Sequence, residues 1–340
     1  MTHVPQRDRS TEPAVTIVVP SYNSAECLPT ALTSISAQTV QDLEILVIDD
    51  GSTQLPVTQE MLAHEPRAVL HALPENIGYG AVTNYAIRAA RGEWIVFVDA
   101  DDEIEPWFVE RLLARGREED ADIVLMPLMC RRGGRRIGPL AFPREGQVLT
   151  PAQAAVAWAR HELVLSEHCL LRRPRPDAPE GYTYSDAVHV LAHITRSRRI
   201  ALLHEPGYIY DVHAGSTTGT LRPNIIELMQ MPARTADSCR AVTSGRQRQE
   251  LLQTVSDYTV SQVLHKAARE TRPTPLRRYV EGWCRARVTV RGVLRHLRRR
   301  QFSAAASWML FLISPALHRR MYTAYDRSKD RRASRSHSES

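Results

Sequence analysis

Over residues 14–126 short apolar runs alternate with segments whose apolar residues recur at helical spacing, and this alternation limits the possible fold more than any other feature. Residues 15–19 are a β-branched run, Leu28, Leu32 and Ile35 mark one helical face, and residues 43–48 are apolar again but for Glu44. Two further steps follow, residues 68–71 with 79–90, and residues 94–98 with 107–115. Repeated strand–helix units of this size predict an α/β fold around a mainly parallel central sheet. Residues 122–126 read as one more strand.

Composition supports a folded chain. At 340 residues with 43% hydrophobic content, there is enough apolar surface for a sizeable core. Residues 130–150 turn rich in Arg and Gly and lose their periodicity, as expected of a loop or an irregular hairpin. A short helix is expected after Pro151 and a strand near 169–171. A helix carrying Val188, Leu191 and Ile194 follows, and then strands over 200–203 and 208–212. From residue 224 the chain reads as helical. The resulting division is a polar tail over 1–13, an α/β domain over 14–220, a helical region over 221–326 and a polar tail over 327–340.

The first thirteen residues have no apolar core, which argues against a signal peptide or anchor and for a cytoplasmic protein. Five scattered cysteines without a CxxC pair fit a reducing compartment and exclude a disulfide framework. The formal charge is +6, and the basic excess gathers after residue 270. The apolar run over 304–313 stops at Pro315, well short of the roughly 20 residues a membrane span needs. Flanked by arginines, it is read either as a helix lying at the inner leaflet of a membrane or as an ordinary buried helix.

The chemistry gathers at strand ends. Asp99, Ala100, Asp101 and Asp102 directly follow the apolar run 94–98. Ligands bind at the carboxyl ends of strands in open α/β sheets, and carboxylates this close repel one another unless a cation sits among them. Oxygen ligands suit Mg²⁺ or Mn²⁺. An acidic turn capping the next helix is the plain alternative. The second strand ends in Asp49, Asp50, Gly51 and Ser52, which could equally form a turn with a helix cap or a ribose contact.

Taken together, residues 18–23, Gln38-Thr39, Asp49-Asp50-Gly51-Ser52-Thr53, Asn76-Ile77-Gly78, Asn84, Gly92 and Asp99-Ala100-Asp101-Asp102 resemble, in order and spacing, the nucleotide-sugar domain of family 2 glycosyltransferases. The resemblance covers about residues 14–220 and implies a GT-A type fold with a mainly parallel central sheet. It implies that Pro20, Tyr22 and Asn23 line the base pocket, that Asp50 with Asp49 beside it meets uracil or ribose, and that Asn76, Gly78 and Asn84 belong to the donor site. Asp99, Ala100 and Asp101 would face the nucleotide sugar, with Asp101 and Asp102 on the metal and Asp99 nearer the ribose. Downstream, Asp186 resembles the family's catalytic base, with Ser185 where the family has Glu. Residues 208–217 resemble a strand and loop closing over the diphosphate, where His213 would bind the metal or a phosphate oxygen and Ser216 would donate to phosphate. His168 and Cys169 stand where the family often faces the acceptor. The remaining histidines are read as surface or satisfied, partly buried residues.

The function implied is inverting sugar transfer from a nucleotide-diphosphate sugar, in the first instance a UDP-sugar. The expected acceptor is a cell-envelope polysaccharide, a teichoic-acid-like polymer or a lipid-linked glycan. Leaving diphosphate needs charge stabilisation, and the acceptor hydroxyl needs a base. Two other readings compete. A nucleotidyltransferase would carry a Gly-rich basic loop after the first strand, which Ser21-Tyr22-Asn23-Ser24 does not supply. An inactive scaffold using the Arg-rich helices would not need all three acids at 99, 101 and 102. No nucleic-acid partner is expected.

Overall fold

The structure, a computed structural model, describes residues 12–143, 148–212 and 221–324. The chain divides into two compact units, the first comprising residues up to Asp211 together with Ser238–Val242, the second Val212–Asp237 and the residues from Thr243 onward.

In the first unit the alternation expected from sequence is present as β1 (Val15–Ser21), α1 (Leu28–Ser36), β2 (Leu43–Asp49), β3 (Ala68–Ala72), α2 (Tyr79–Ala89) and β4 (Trp94–Phe97). There follow β5 (Glu103–Ile104), α3 (Phe108–Glu118), β6 (Ile123–Leu125), β7 (Leu128–Arg132), β8 (Arg135–Pro139), β9 (Val148–Leu149), α4 (Pro151–Ala159), β10 (Leu170–Arg172), α5 (Ser185–Ile194), β11 (Ile200–Leu202) and β12 (Tyr208–Asp211). The main sheet runs β3-β2-β1-β4-β10-β6-β11-β9, and a smaller one runs β5-β12-β7-β8. The Arg- and Gly-rich stretch forms the hairpin β7–β8.

β1, β2 and β4 are buried on both faces because helices cover both. Ile17, Val19, Ile45, Val47 and Val96 point to one side, where Leu28, Leu32, Phe108 and Leu112 of α1 and α3 pack. Val18, Ile48, Ile95 and Phe97 point to the other, against Val82 and Ala86 of α2. Strands covered twice read as continuous apolar runs, which explains their legibility in sequence. Gln38, almost wholly buried, ties the layers together. Its amide donates to the Ser34 and Glu105 carbonyls and accepts from the Val109 amide. Trp158 is a core residue of α4.

The parallel pattern breaks at one place that matters. β3, β2, β1 and β4 are parallel, but β10 runs antiparallel to both β4 and β6, with Leu171 opposite Ile95.

The second unit is helical: α6 (Ile225–Met229), α7 (Met231–Arg234), α8 (Ala236–Val242), whose last five residues group with the first unit, α9 (Gly245–Arg269), α10 (Pro275–Arg285), α11 (Val290–Arg298) and α12 (Phe302–Ile313). Residues 315–324 are helical as well. Among the described residues no helix is long and apolar enough to cross a membrane.

Candidate functional site

Because β10 is reversed, the residues just before it lie beside the carboxyl end of β4. The Phe97 amide donates to the Glu167 carbonyl at 3.2 Å, and His168 Nδ1 lies 3.2 Å from the Phe97 carbonyl. A parallel strand would have carried these residues to the opposite rim. A carbonyl can only accept, so Nδ1 donates there. Nε2 faces the acids, 3.5 Å from Asp99 Oδ2.

Ligand atoms of Asp99, Asp102 and His168 all lie within 4.8 Å of one another. A turn closed by the Asp102 amide on the Asp99 carbonyl brings the two end residues together. Asp102 is rigidly held: the Tyr208 hydroxyl donates to Oδ2 at 2.7 Å and the Asp211 amide to Oδ1 at 2.8 Å. Tyr208 also accepts from the Asp99 amide and stacks on the His168 ring at 4.3 Å. β12 thus fixes the site from above, through its antiparallel pairing with β5.

The electrostatics of this cluster call for positive charge. Burial, and then the charges of Asp101, Asp186 and Glu167, raise the Asp99 carboxyl well above its ordinary range. Asp102 is raised by burial and by Asp99, with His168 and its two hydrogen-bond donors pulling the other way. Two oxygen ligands and an imidazole held by its far nitrogen suit a divalent cation that accepts mixed O and N donors, as Mn²⁺ does. The donor set fits such an ion.

Asp186 stands in the first turn of α5, within electrostatic reach of Glu167 and His168. Burial above all, with Glu167 adding to it, pushes its carboxyl up to about 6. Its neighbour Ser185 is fully buried, and the hydroxyl has no partner among the described residues. Tyr79, the first residue of α2, bonds to Glu167 and feels both Asp99 and Asp186.

Beneath this rim lies a fully buried pair. His189 Nδ1 is 2.6 Å from Glu167 Oε1, and His189 Nε2 faces the Arg175 carbonyl at 3.0 Å. With an oxygen at each nitrogen the ring donates twice, as an imidazolium does. Burial opposes that charge, but the hydrogen bond and charge of Glu167 outweigh it and raise the His189 pKa. Thr83 completes the set, its hydroxyl donating to Glu167 at 2.9 Å.

The ends of β1 and β2 form a second group on the same rim. Asp49 is engaged by the Ser52 and Val57 amides, and Asp50 by the Ile77 and Gly78 amides at 2.7 and 3.0 Å. Asn23, at φ 51°, accepts from the Thr53 and Gln54 amides. Pro20 is half-buried at the end of β1, while Tyr22 and Asn76 are exposed beside it. Asn84 is instead fully engaged below the rim, bonded to both backbone groups of Ala178 and to Glu180. Its amide anchors the loop before α5.

Gly51 lets the β2 turn close. It has φ +63°, and a Cβ there would sit 2.2 Å from the Glu75 carbonyl carbon. Gly51→Ala should therefore push residues 75–76 away and break the two amide bonds to Asp50. The left-handed conformation alone costs on the order of 1–3 kcal/mol. A thermal melt lowered by less than the parent's replicate error would show that the turn adapts.

The structure thus gathers Asp99, Ala100, Asp101 and Asp102 with Asp186 at one end of the rim, and Pro20, Tyr22, Asn23, Asp50, Asn76 and Gly78 at the other. Sequence assigns Asp101 and Asp102 to the cation and Asp99 to ribose, whereas the coordinates group Asp99 with Asp102. The turn explains this: its end residues converge, and Asp101 between them bears on Cys27 as well as on Asp99. His168 stands with Asp99 and Asp102, a grouping the sequence does not suggest. His213 and Ser216 lie outside the described residues. Sequence reading missed Tyr79, Glu167 and His189 as parts of the site.

Comparison with known proteins follows this geometry. Residues 16–175 match the family model described as Glycosyl transferase family 2. Residues 16–175 form a domain of this family. It is 30% identical over 229 residues to the succinoglycan biosynthesis protein ExoO of Rhizobium meliloti, across 64% of this chain and 66% of that protein. It is 38% identical over 109 residues to an Escherichia coli chondroitin synthase, across 32% of this chain and 16% of that one. The match therefore spans less than two thirds of either relative. In fold, the chain is similar to S. aureus TarS 1–349 in complex with UDP-GlcNAc, at TM-score 0.62, 18% identity and coverage of 86% and 90% of the two chains. A mannosyltransferase of Pyrobaculum calidifontis, in complex with GDP-Man and Mn²⁺, superposes at TM-score 0.51 with 15% identity, over 94% of this chain and 88% of that one.

Proposed function

We propose that the chain is a metal-dependent inverting glycosyltransferase, moving a sugar from a nucleotide-diphosphate sugar to a hydroxyl of a polysaccharide or lipid-linked acceptor of the cell envelope. The observation that carries it is the convergence of Asp99, Asp102 and His168 on the same rim as Asp186. Relatives named for polysaccharide synthesis, and a structural neighbour bound to UDP-GlcNAc, support a UDP-sugar as the donor.

In this reading the turns after β1 and β2 hold the nucleoside, with Asp50 and Asn23 bracing the loops rather than free to swing. Asp99, Asp102 and His168 would hold a divalent cation, Mn²⁺ or Mg²⁺, which as a Lewis acid stabilises charge on the leaving diphosphate. Asp186 takes the proton of the acceptor hydroxyl. Its raised carboxyl suits the task, since a base works best with a pKa near the working pH.

Mn²⁺-dependent hydrolysis of UDP-sugars, abolished by chelation and in Asp102→Asn, tests the proposal. Failure to bind or hydrolyse any nucleotide sugar with any divalent ion would sink it. Cation affinity should also fall with acidification, because the cation displaces protons from carboxyls raised in the folded state. The expected slope approaches about tenfold per pH unit for each proton displaced. Titration of Mn²⁺ by electron paramagnetic resonance at pH 6 and pH 8 measures it.

A further inference from the structure

The second unit holds a surface that sugar transfer does not use. α11 and α12 have well-anchored inner faces: Arg295 of α11 and Arg299 just after it pair with Asp257 of α9, and the buried Trp308 of α12 donates to Ser261 of α9. Trp308 lies against Gly292 and edge-on to His296. The final helical stretch is tied in by His318, which meets Ser307, and by Arg319, which pairs with Glu281.

A helix packed inward normally turns a polar face to water. These do the reverse. Val290 and Leu294 of α11 are exposed one turn apart, Phe302, Met309 and Ile313 recur at helical spacing on α12, and Met321 continues on the last stretch. Val290, Phe302 and Ile313 are 67%, 64% and 68% exposed, which is unusual for large apolar side chains. The charge around them has one sign. From residue 290 to 324 the sequence holds seven arginines and no Asp or Glu, and Arg291, Arg298, Arg300 and Arg320 are exposed.

We propose that α11, α12 and the stretch 315–324 form a docking surface for an anionic lipid bilayer, lying in the headgroup region without crossing it. Apolar side chains enter the acyl boundary while guanidinium groups meet phosphate, the combination by which interfacial helices bind. A second copy of this chain fits poorly, since a self-complementary contact would set arginine against arginine with no acid between them. A nucleic acid would satisfy the arginines and leave Phe302, Met309 and Ile313 in water. The inference rests on the second unit alone and is independent of the donor and of the reaction.

Co-sedimentation of the full chain with vesicles tests it, using phosphatidylcholine alone and phosphatidylcholine with 30% phosphatidylglycerol. Binding should be at least tenfold tighter to the anionic vesicles and should weaken as salt rises. Phe302→Ser with Ile313→Ser, and separately Arg291→Glu with Arg298→Glu and Arg320→Glu, should each reduce it about tenfold or more. These residues are exposed, so unchanged thermal melts and unchanged UDP-sugar hydrolysis in solution will show that the variants are folded. Equal partition onto neutral and anionic vesicles would overturn the proposal. So would self-association abolished by the serine variant without any vesicle binding, or tighter binding to RNA than to lipid.

Discussion

Asp186→Asn should lower sugar transfer by about 10²–10⁴-fold, the usual contribution of a general base, while donor affinity stays near that of the parent. The separation of the two readouts is what tests the role. Asn keeps the shape and helix-start position of Asp186 but cannot take a proton. Folding should survive the change. The carboxyl is raised to about 6 chiefly by burial, so the folded state disfavours its charged form, and a neutral amide relieves that cost at neutral pH. In the parent, transfer should rise with pH up to about 6, as Asp186 loses its proton, and then level off. The variant's residual activity should lack that rise. If donor binding collapses together with transfer, Asp186 shapes the pocket rather than reacting in it.

His189→Leu should destabilise the first unit by roughly 3–5 kcal/mol, the cost of stranding one partner of a buried ion pair. At about 2–4 °C per kcal/mol for a unit of this size, the melting temperature should fall on the order of 10 °C. The stranded group is Glu167, wholly buried and left, among the described residues, with donors from Thr83 and Tyr79. Adding Glu167→Gln to the same chain should recover much of the loss, because a neutral amide costs less to bury than a carboxylate. The pH dependence has a defined sign. Folding raises the His189 pKa, so the pair's contribution is complete below the ordinary imidazole value of about 6.5 and is lost as pH rises through the raised one. The penalty of the variant should therefore shrink in alkaline buffer. A double variant as unstable as His189→Leu alone would show that packing, not charge, sets the cost.

Sequence reading reached the strands that helices cover on both sides, since β1, β2 and β4 need apolar residues at most positions, with Thr16 and Glu44 buried as a hydrogen-bonded pair. It reached Asp99 to Asp102 and Asp186 because acids at a strand end or helix start stand out locally. It did not reach the place of His168 beside Asp99 and Asp102, because that depends on the direction of β10, a three-residue strand whose own pattern says nothing of which neighbour it meets or which way it runs. Glu167 and His189 were missed for a related reason: each is ordinary in its own segment, and only their meeting across 22 residues makes them a pair. The available signal was His189 between Val188 and Val190, a polar residue amid an apolar helical run. Asn84 shows the opposite case. Its place in the family pattern is plain, but the structure commits its side chain to Ala178 and Glu180.

The reversed strand has a further consequence, for assembly. Asp99 and His168 are far apart in the chain, and Asp102 is held by Tyr208 and Asp211 from farther still. An early folding intermediate with only local contacts can form the Asp99–Asp102 turn but not the whole site. Closing such long loops is slow and comes late. A cation that binds the finished cluster and nothing before it draws the population toward the completed topology by mass action. The ion would then serve as a proofreader of strand direction, holding only chains in which β10 has joined the sheet the right way round.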